Sequence, residues 1–263
     1  ESEYLTLQRH EKLQAELVGI ALLPVAGLVA ELRQIKDPHE IAAIRRACEL
    51  TDRVFEQLLT WVKPGVRERD LAIEIEYAMK RQGAEREGFP IIVASGPRSA
   101  LPHGRASERQ IEVGDFVTFD FGAVVDGYCS DLTRTVVVGR ASERQREIYA
   151  VVLRALEAAI AAIRAGVAGR DIDAVARERI AADGYGEYFG HGLGHQIGLE
   201  VHDGPGFSPR SEVTLAAGMV LTVEPGVYLP GWGGVRIEDD VLVTADGCEV
   251  LTRARRDLIE LAA

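Results

Sequence analysis

Three cysteines in 263 residues, Cys48, Cys129 and Cys248, form an odd set with no CxxC spacing, which excludes a disulfide framework and a thiolate zinc site. A reducing cytoplasm is the expected setting, and Cys129 reads as a small buried hydrophobe. Basic residues are also in the minority: 30 Lys and Arg against 41 Asp and Glu leave a formal charge of −11. That balance argues against nucleic acid or an anionic membrane as partner, since both need a basic footprint. Long apolar runs are missing too. The longest, Val18 to Ala30, is broken by Pro24 and Gly27, whereas a spanning helix needs about 20 apolar residues; a strand followed by a helix start is expected there. The chain opens Glu-Ser-Glu without a basic and apolar leader pattern, so no secretory signal is read and a fragment or processed chain is expected. A hydrophobic content of 47% fits a globular chain with a substantial core.

Helix signals are strong. Asp37-Pro38-His39-Glu40 places an N-cap, a first-turn proline and an N3 glutamate ahead of a long apolar-periodic segment over 37–63. A second helix is expected from about Arg69 to Gln82, ending at Gly83, and two more over 142–165 and 170–182, with Ser142 and Gln145 as a capping pair. These two helix pairs are copies of each other. The segment from Val62 to Leu71 matches Ile163 to Ile172 at a constant offset of 101, shared by Gly83 and Gly184. Further on, Gly114, Thr118, Asp120, Gly122 and Gly127 match Gly218, Thr222, Glu224, Gly226 and Gly231 at an offset of 104, among β-rich apolar residues. An internal duplication follows, giving an α+β chain of helix pairs and β-ribbons about a pseudo-twofold axis. Residues 37–263 form the expected catalytic domain. Residues 1–36 stand outside the repeat and are expected to be the tail or linker of a missing N-terminal domain, ending near Ile35-Lys36-Asp37.

The ribbons carry the chemistry. The first holds Asp120 among Val117, Phe119 and Phe121, then a turn at Asp126-Gly127 and Asp131 on the return; the second holds Glu224 and then Glu238. An ionised carboxylate among aromatic residues is costly unless a cation or donors compensate it. One such acid alone reads as a solvated strand face, but four at repeated positions predict convergence on a metal. Between the ribbons, His191, His195 and His202 are half of the six histidines, set among glycines that let backbone pack close to a site. Neutral imidazole suits borderline divalent ions.

Together these segments, over roughly residues 37–252, resemble the pita-bread metallopeptidases, the family of Xaa-Pro aminopeptidase, Xaa-Pro dipeptidase (prolidase) and methionine aminopeptidase. The resemblance implies a dinuclear centre on Asp120, Asp131, His195, Glu224 and Glu238, with Asp120 on one ion, His195 and Glu224 on the other, and Asp131 and Glu238 bridging. One nitrogen and four carboxylates suit Mn²⁺ or Co²⁺, with Zn²⁺, Fe²⁺ and Mg²⁺ as further candidates; the family points to manganese. His103 in Leu101-Pro102-His103-Gly104, His191, and Arg236 in Val235-Arg236-Ile237-Glu238 resemble the proline-specific branch. The implied activity is hydrolysis of the Xaa-Pro bond at a peptide N-terminus or in a dipeptide. Two divalent ions about 3.5–4 Å apart would lower the pKa of a bridging water so that hydroxide attacks, with His202 or His103 aiding the oxyanion and Glu224 passing the proton. His191, His202 and Arg236 are the expected substrate contacts. Gln196 and Asp203 depart from the family's glycine and glutamate, which is expected to affect substrate preference. A homodimer is implied for the full-length form. Alternatives on the same scaffold are a methionine aminopeptidase-like enzyme, a creatinase-like hydrolase without metal, and a non-catalytic peptide- or protein-binding module.

Overall fold

The computed structural model describes residues 5–263. Two short helices come first, α1 (Leu7–Glu16) and α2 (Leu28–Gln34), and neither contains a buried residue. The strand expected within Val18 to Ala30 does not form; residues 18–27 are irregular up to α2. Pro24 withholds a ladder donor, and an isolated strand leaves its backbone groups unpaired. Val18, Ile20, Leu23 and Val25 are exposed there. The end of this segment is not a free tether: the Lys36 side chain is buried, and its backbone N–H donates to Gly218 O at 2.9 Å.

The first copy runs α3 (Pro38–Leu58), α4 (Glu68–Arg81), β1 (Arg86–Glu87), β2 (Ile92–Ser95), β3 (Phe116–Phe121), β4 (Ala123–Val125), β5 (Tyr128–Cys129) and β6 (Leu132–Val138). The second runs α5 (Glu143–Ala162), α6 (Gly169–Ala182), β7 (Val220–Val223), β8 (Gly226–Leu229), β9 (Gly233–Arg236), β10 (Asp239–Val243), β11 (Cys248–Val250) and β12 (Glu260–Leu261). Both long helices start with complete capping boxes, Asp37 with Glu40 and Ser142 with Gln145, so each satisfies two otherwise orphaned N–H groups. After each long helix the chain turns at a glycine in the left-handed region, Gly65 (φ 88°) and Gly166 (φ 87°), a conformation that a Cβ disfavours. Gly65 N–H donates to Ile111 O and Gly166 N–H to Leu215 O, each at 2.8 Å, so the two turns dock alike onto the strand approach. This is the duplicated α+β architecture that the repeat predicts.

Each copy has its own core. Phe55, Leu58, Leu71, Ile75 and Met79 pack on Val117 and Phe119 in the first, and Val152, Leu156, Ile172 and Ala176 on Leu221, Val223 and Val241 in the second. A smaller cluster of Ile44, Cys48, Cys129, Ile197, Val220 and Leu242 joins them. Among the described residues the sheets run β12-β6-β3-β2, β11-β10-β7, β1-β4-β5 and β8-β9. The joint is also polar. Arg134, the largest fully buried side chain, donates to Glu238 O, Ala254 O (2.7 Å), Arg255 O (3.0 Å) and Asp239 Oδ1 (2.9 Å). It ties the return strand of one copy to that of the other. Among the described residues, no helix is long and apolar enough to cross a membrane.

Candidate active site

Strand β3 is hydrogen-bonded on both sides, by β2 and β6, and buried along its whole length. Asp120 therefore enters the site from the middle of a sheet, opposite Ile92 on one side and Thr133 on the other. Asp131 sits just ahead of β6, beyond the turn at Asp126 (φ 49°) and Gly127 (φ 80°), the left-handed pair that a type I′ turn requires. Its N–H donates to Asp240 Oδ2 at 2.9 Å. Glu238 lies between β9 and β10, its N–H on Thr133 O at 3.1 Å and its Oε2 accepting from Thr133 Oγ1 at 2.5 Å. Glu224 follows β7, with Oε1 accepting from Thr222 Oγ1 at 3.4 Å.

His195 comes from the Gly-rich loop, pinned to β7 by two bonds with Thr222: its N–H donates to Oγ1 at 3.1 Å and its carbonyl accepts from Thr222 N–H at 2.8 Å. Nδ1 lies 3.2 Å from Gln196 O, which places the proton on Nδ1 and leaves the Nε2 lone pair free. Nε2 stands 3.7 Å from Asp131 Oδ2 and 3.5 Å from Glu224 Oε1. Ligand atoms of Asp131, His195 and Glu238 all lie within 4.8 Å of one another.

Without a cation this cluster is electrostatically costly. Burial pushes Asp131 and Glu238 well above the usual carboxylate range, reinforced at Asp131 by the charges of Glu238 and Asp120 and at Glu238 by those of Glu224 and Asp120. Burial raises Glu224 to about 8 and also raises Asp120, which the Arg236 guanidinium opposes. Burial, with His202 beside it, lowers His195 to about 4, so its imidazole is neutral. Asp131 Oδ1 and Glu238 Oε1 are buried and have no hydrogen-bond partner. Buried acceptors without donors cost roughly 1–3 kcal/mol each, more when charged. A divalent cation satisfies such oxygens, and a hard-oxygen set with one neutral imidazole is the donor chemistry it takes. The residues fit a metal centre.

A metallopeptidase of family M24 is the family model that matches, over residues 42–245. The chain belongs to metallopeptidase family M24. It is 48% identical over 235 residues to the Xaa-Pro dipeptidase of Pyrococcus furiosus, covering 89% of this chain and 68% of that protein. Among solved structures, the Xaa-Pro dipeptidase from Bacillus anthracis superposes with a TM-score of 0.97 at 50% identity, covering 99% of this chain and 73% of that one. The X-Pro aminopeptidase from Thermotoga maritima superposes at 0.96 with 42% identity, covering 99% and 74%. The pita-bread fold implied by the family resemblance is thus the fold of this M24 chain.

Two compartments of about 280 and 290 Å³ open on either side of the acids and share His103, Asp120, His195, His202 and Glu224 as a common wall. The first is bounded further by His191, Phe207 and Arg236, the second by Phe89, Pro90, Ile92 and Val201. All nine residues singled out in the sequence of this M24 chain therefore line one continuous space. Arg236 does not present a free fork. Four donations go to Asp120, Thr133 Oγ1 (3.1 Å), Pro102 O (3.0 Å) and Tyr228 OH (2.9 Å), leaving one of its five N–H groups for a ligand. His191 accepts from Tyr228 OH through Nε2 at 2.9 Å, and burial lowers it to about 4. Asp203 meets Arg33 and Lys36 and lines neither compartment. Gln196 likewise spends its amide on Pro205 O at 2.8 Å and on Gln34.

Sequence reasoning passed over Thr133, Tyr228 and Asp240. Thr222 stood in the repeat match and Thr133 did not, although the two hydroxyls do similar work on Glu224 and Glu238. Tyr228 carried no signal beyond its place on a strand running from Gly226, because its partners His191 and Arg236 are distant in sequence.

Proposed function

We propose that this chain is a dinuclear metal-dependent peptidase that hydrolyses the bond between a residue and a following proline, at the N-terminus of peptides or in dipeptides. The observation that carries it is the pair of unpartnered buried oxygens, Asp131 Oδ1 and Glu238 Oε1, beside the free Nε2 of His195. In this reading Asp120, Asp131, His195, Glu224 and Glu238 hold two divalent ions, Mn²⁺ by preference. The ions supply Lewis acidity and a water acidic enough to react near neutral pH.

The remaining work falls to side chains. Glu224, held through Oε1 by Thr222, takes the proton of the attacking water and delivers it to the leaving prolyl nitrogen. His202 and His103, on the wall shared by the compartments, donate to the oxygen that gains charge. An Xaa-Pro bond is a tertiary amide with no N–H to offer, so recognition must come from shape and from the carbonyls. The linked Arg236, Tyr228 and His191 form a rigid polar edge for the proline side, and Phe207 an apolar one. Relatives named Xaa-Pro dipeptidase and X-Pro aminopeptidase support that specificity. A cytoplasmic setting and a homodimer complete the proposal, the former supported by three free cysteines.

Hydrolysis of Ala-Pro and Ala-Pro-Ala by the Mn²⁺-loaded protein, each beside a chelator-treated control, tests the reading. Metal-dependent release of alanine is expected, tripeptide cleavage marking an aminopeptidase and dipeptide-only cleavage a dipeptidase. Turnover unaffected by the chelator, or no turnover of either peptide, contradicts it.

A further inference from the structure

We propose that Arg33 and Lys36, in the segment ahead of α3, are positioning residues for the loop that carries His195 and His202, acting on it through Asp203. Asp203 follows His202 directly, and its side chain is 3% exposed. Its Oδ1 meets Arg33 Nη2, and its Oδ2 lies 3.7 Å from Lys36 Nζ. Lys36 Nζ is buried and has no hydrogen-bond partner; burial works against its charge, and the carboxylates of Asp203 first and then Glu40 oppose that through space. Arg33 reaches a second acid of the same loop, Glu200, at 3.7 Å.

The grip is repeated along the segment. Gln196, next to His195, donates through Nε2 to Gln34 Oε1 at 3.3 Å. Asp203 N–H donates to Gln196 O at 2.8 Å, closing the loop between its two gripped ends. A Cβ at Gly198 would collide with Asp203 Oδ2 and come within 3.0 Å of Lys36 Cε, so the loop is packed hard against the pair. At its far end the His202 ring lies over that of His195, centroids 4.1 Å apart. A slip of the Asp203 anchor is therefore transmitted to the imidazole that faces both compartments.

Physical chemistry separates this role from simple stabilisation. A buried ion pair must repay the desolvation of both charges; replacing the whole pair by apolar residues is often neutral or stabilising, whereas removing one partner leaves the other charge uncompensated. What such a pair retains is geometry, since the two cations approach Asp203 together in one arrangement only. Residues outside the duplicated unit thus set the shape of a loop inside it.

The inference rests on the proposed peptidase reading for its catalytic consequence, but its primary readout does not. Hydrogen exchange of the whole chain is compared for the parent, Lys36→Met, Arg33→Gln and Arg33→Lys. Exchange at amides of 196–207 is expected to accelerate about tenfold in Lys36→Met and Arg33→Gln, with α5 unchanged and Arg33→Lys close to the parent. On Ala-Pro, kcat is expected to fall about tenfold or more with KM within about twofold, the signature of misplaced rather than lost contacts. Unchanged exchange at 196–207, or acceleration spread equally through α5, overturns the inference. If the parent turns over no Xaa-Pro peptide, the peptidase reading fails while the exchange data still decide the positioning role. Should Lys36→Met not fold, Arg33→Gln, at a side chain 23% exposed, carries the test.

Discussion

The two copies of the repeat reach the same site with different equipment. Each sends an acid from an outgoing strand and another from the return, but the pairing registers differ. In the first, Asp120 faces Thr133, beyond Asp131; in the second, Val223 faces Asp239, so Glu224 and Glu238 stand directly past the last pair. Protein donors reach both sets, Asp120 from Arg236, Glu224 from Thr222 and Glu238 from Thr133. What sets the return acids apart is depth: Asp131 Oδ1 and Glu238 Oε1 are fully buried without a partner. The difference teaches that duplication fixes where carboxylates arrive, while local pairing decides which oxygens are buried bare beside a cation.

The sharpest way to break this comparison is to remove a return acid. Asp131→Ala or Glu238→Ala is expected to weaken metal binding by more than the 10–100-fold typical of supporting residues and to abolish turnover, as read by calorimetric metal titration and peptide hydrolysis. Full activity in either variant would sink the ligand assignment. Next come the histidines of the second copy. His191 is held neutral by burial at about 4, against roughly 6.5 when exposed. Below the unfolded value the unfolded chain takes up a proton that the folded chain refuses. Stability therefore falls as pH drops from about 6.5 to 4, by about 3 kcal/mol from this group. Urea unfolding across that window should show a shallower decline in His191→Gln; an identical slope contradicts the assignment. His202→Gln is expected to lower kcat by about a hundredfold while leaving metal affinity within a few fold, separating a charge-stabilising role from a ligand role. The smallest effect distinguishes the two threonines. Thr133→Val, which removes a 2.5 Å bond to Glu238, should weaken metal binding about tenfold, and Thr222→Val, whose bond to Glu224 is 3.4 Å, by less. Equal losses would mean the copies support their acids alike.

Much of this was legible in the sequence because duplication repeats its own signals. Asp37 with Glu40 and Ser142 with Gln145 marked both long helices, and Asp120 matched with Glu224 marked the strands that lead to the candidate ligands. What lay hidden depends on contacts between distant segments. Tyr228 acquires its role from His191 and Arg236, Asp240 from the backbone of Asp131, and Lys36 from Asp203 on the far side of the chain. The strand expected after Val18 failed for the same reason, since local apolar character cannot supply the neighbour that a strand needs.

The central claim is that the two copies jointly hold two ions, and metal counting tests it most directly. Titration of the metal-stripped chain with Mn²⁺, followed by electron paramagnetic resonance, should give two ions per chain with a spin-coupled spectrum that Glu238→Ala abolishes. A single uncoupled ion, or a coupled pair that survives Glu238→Ala, would contradict the account.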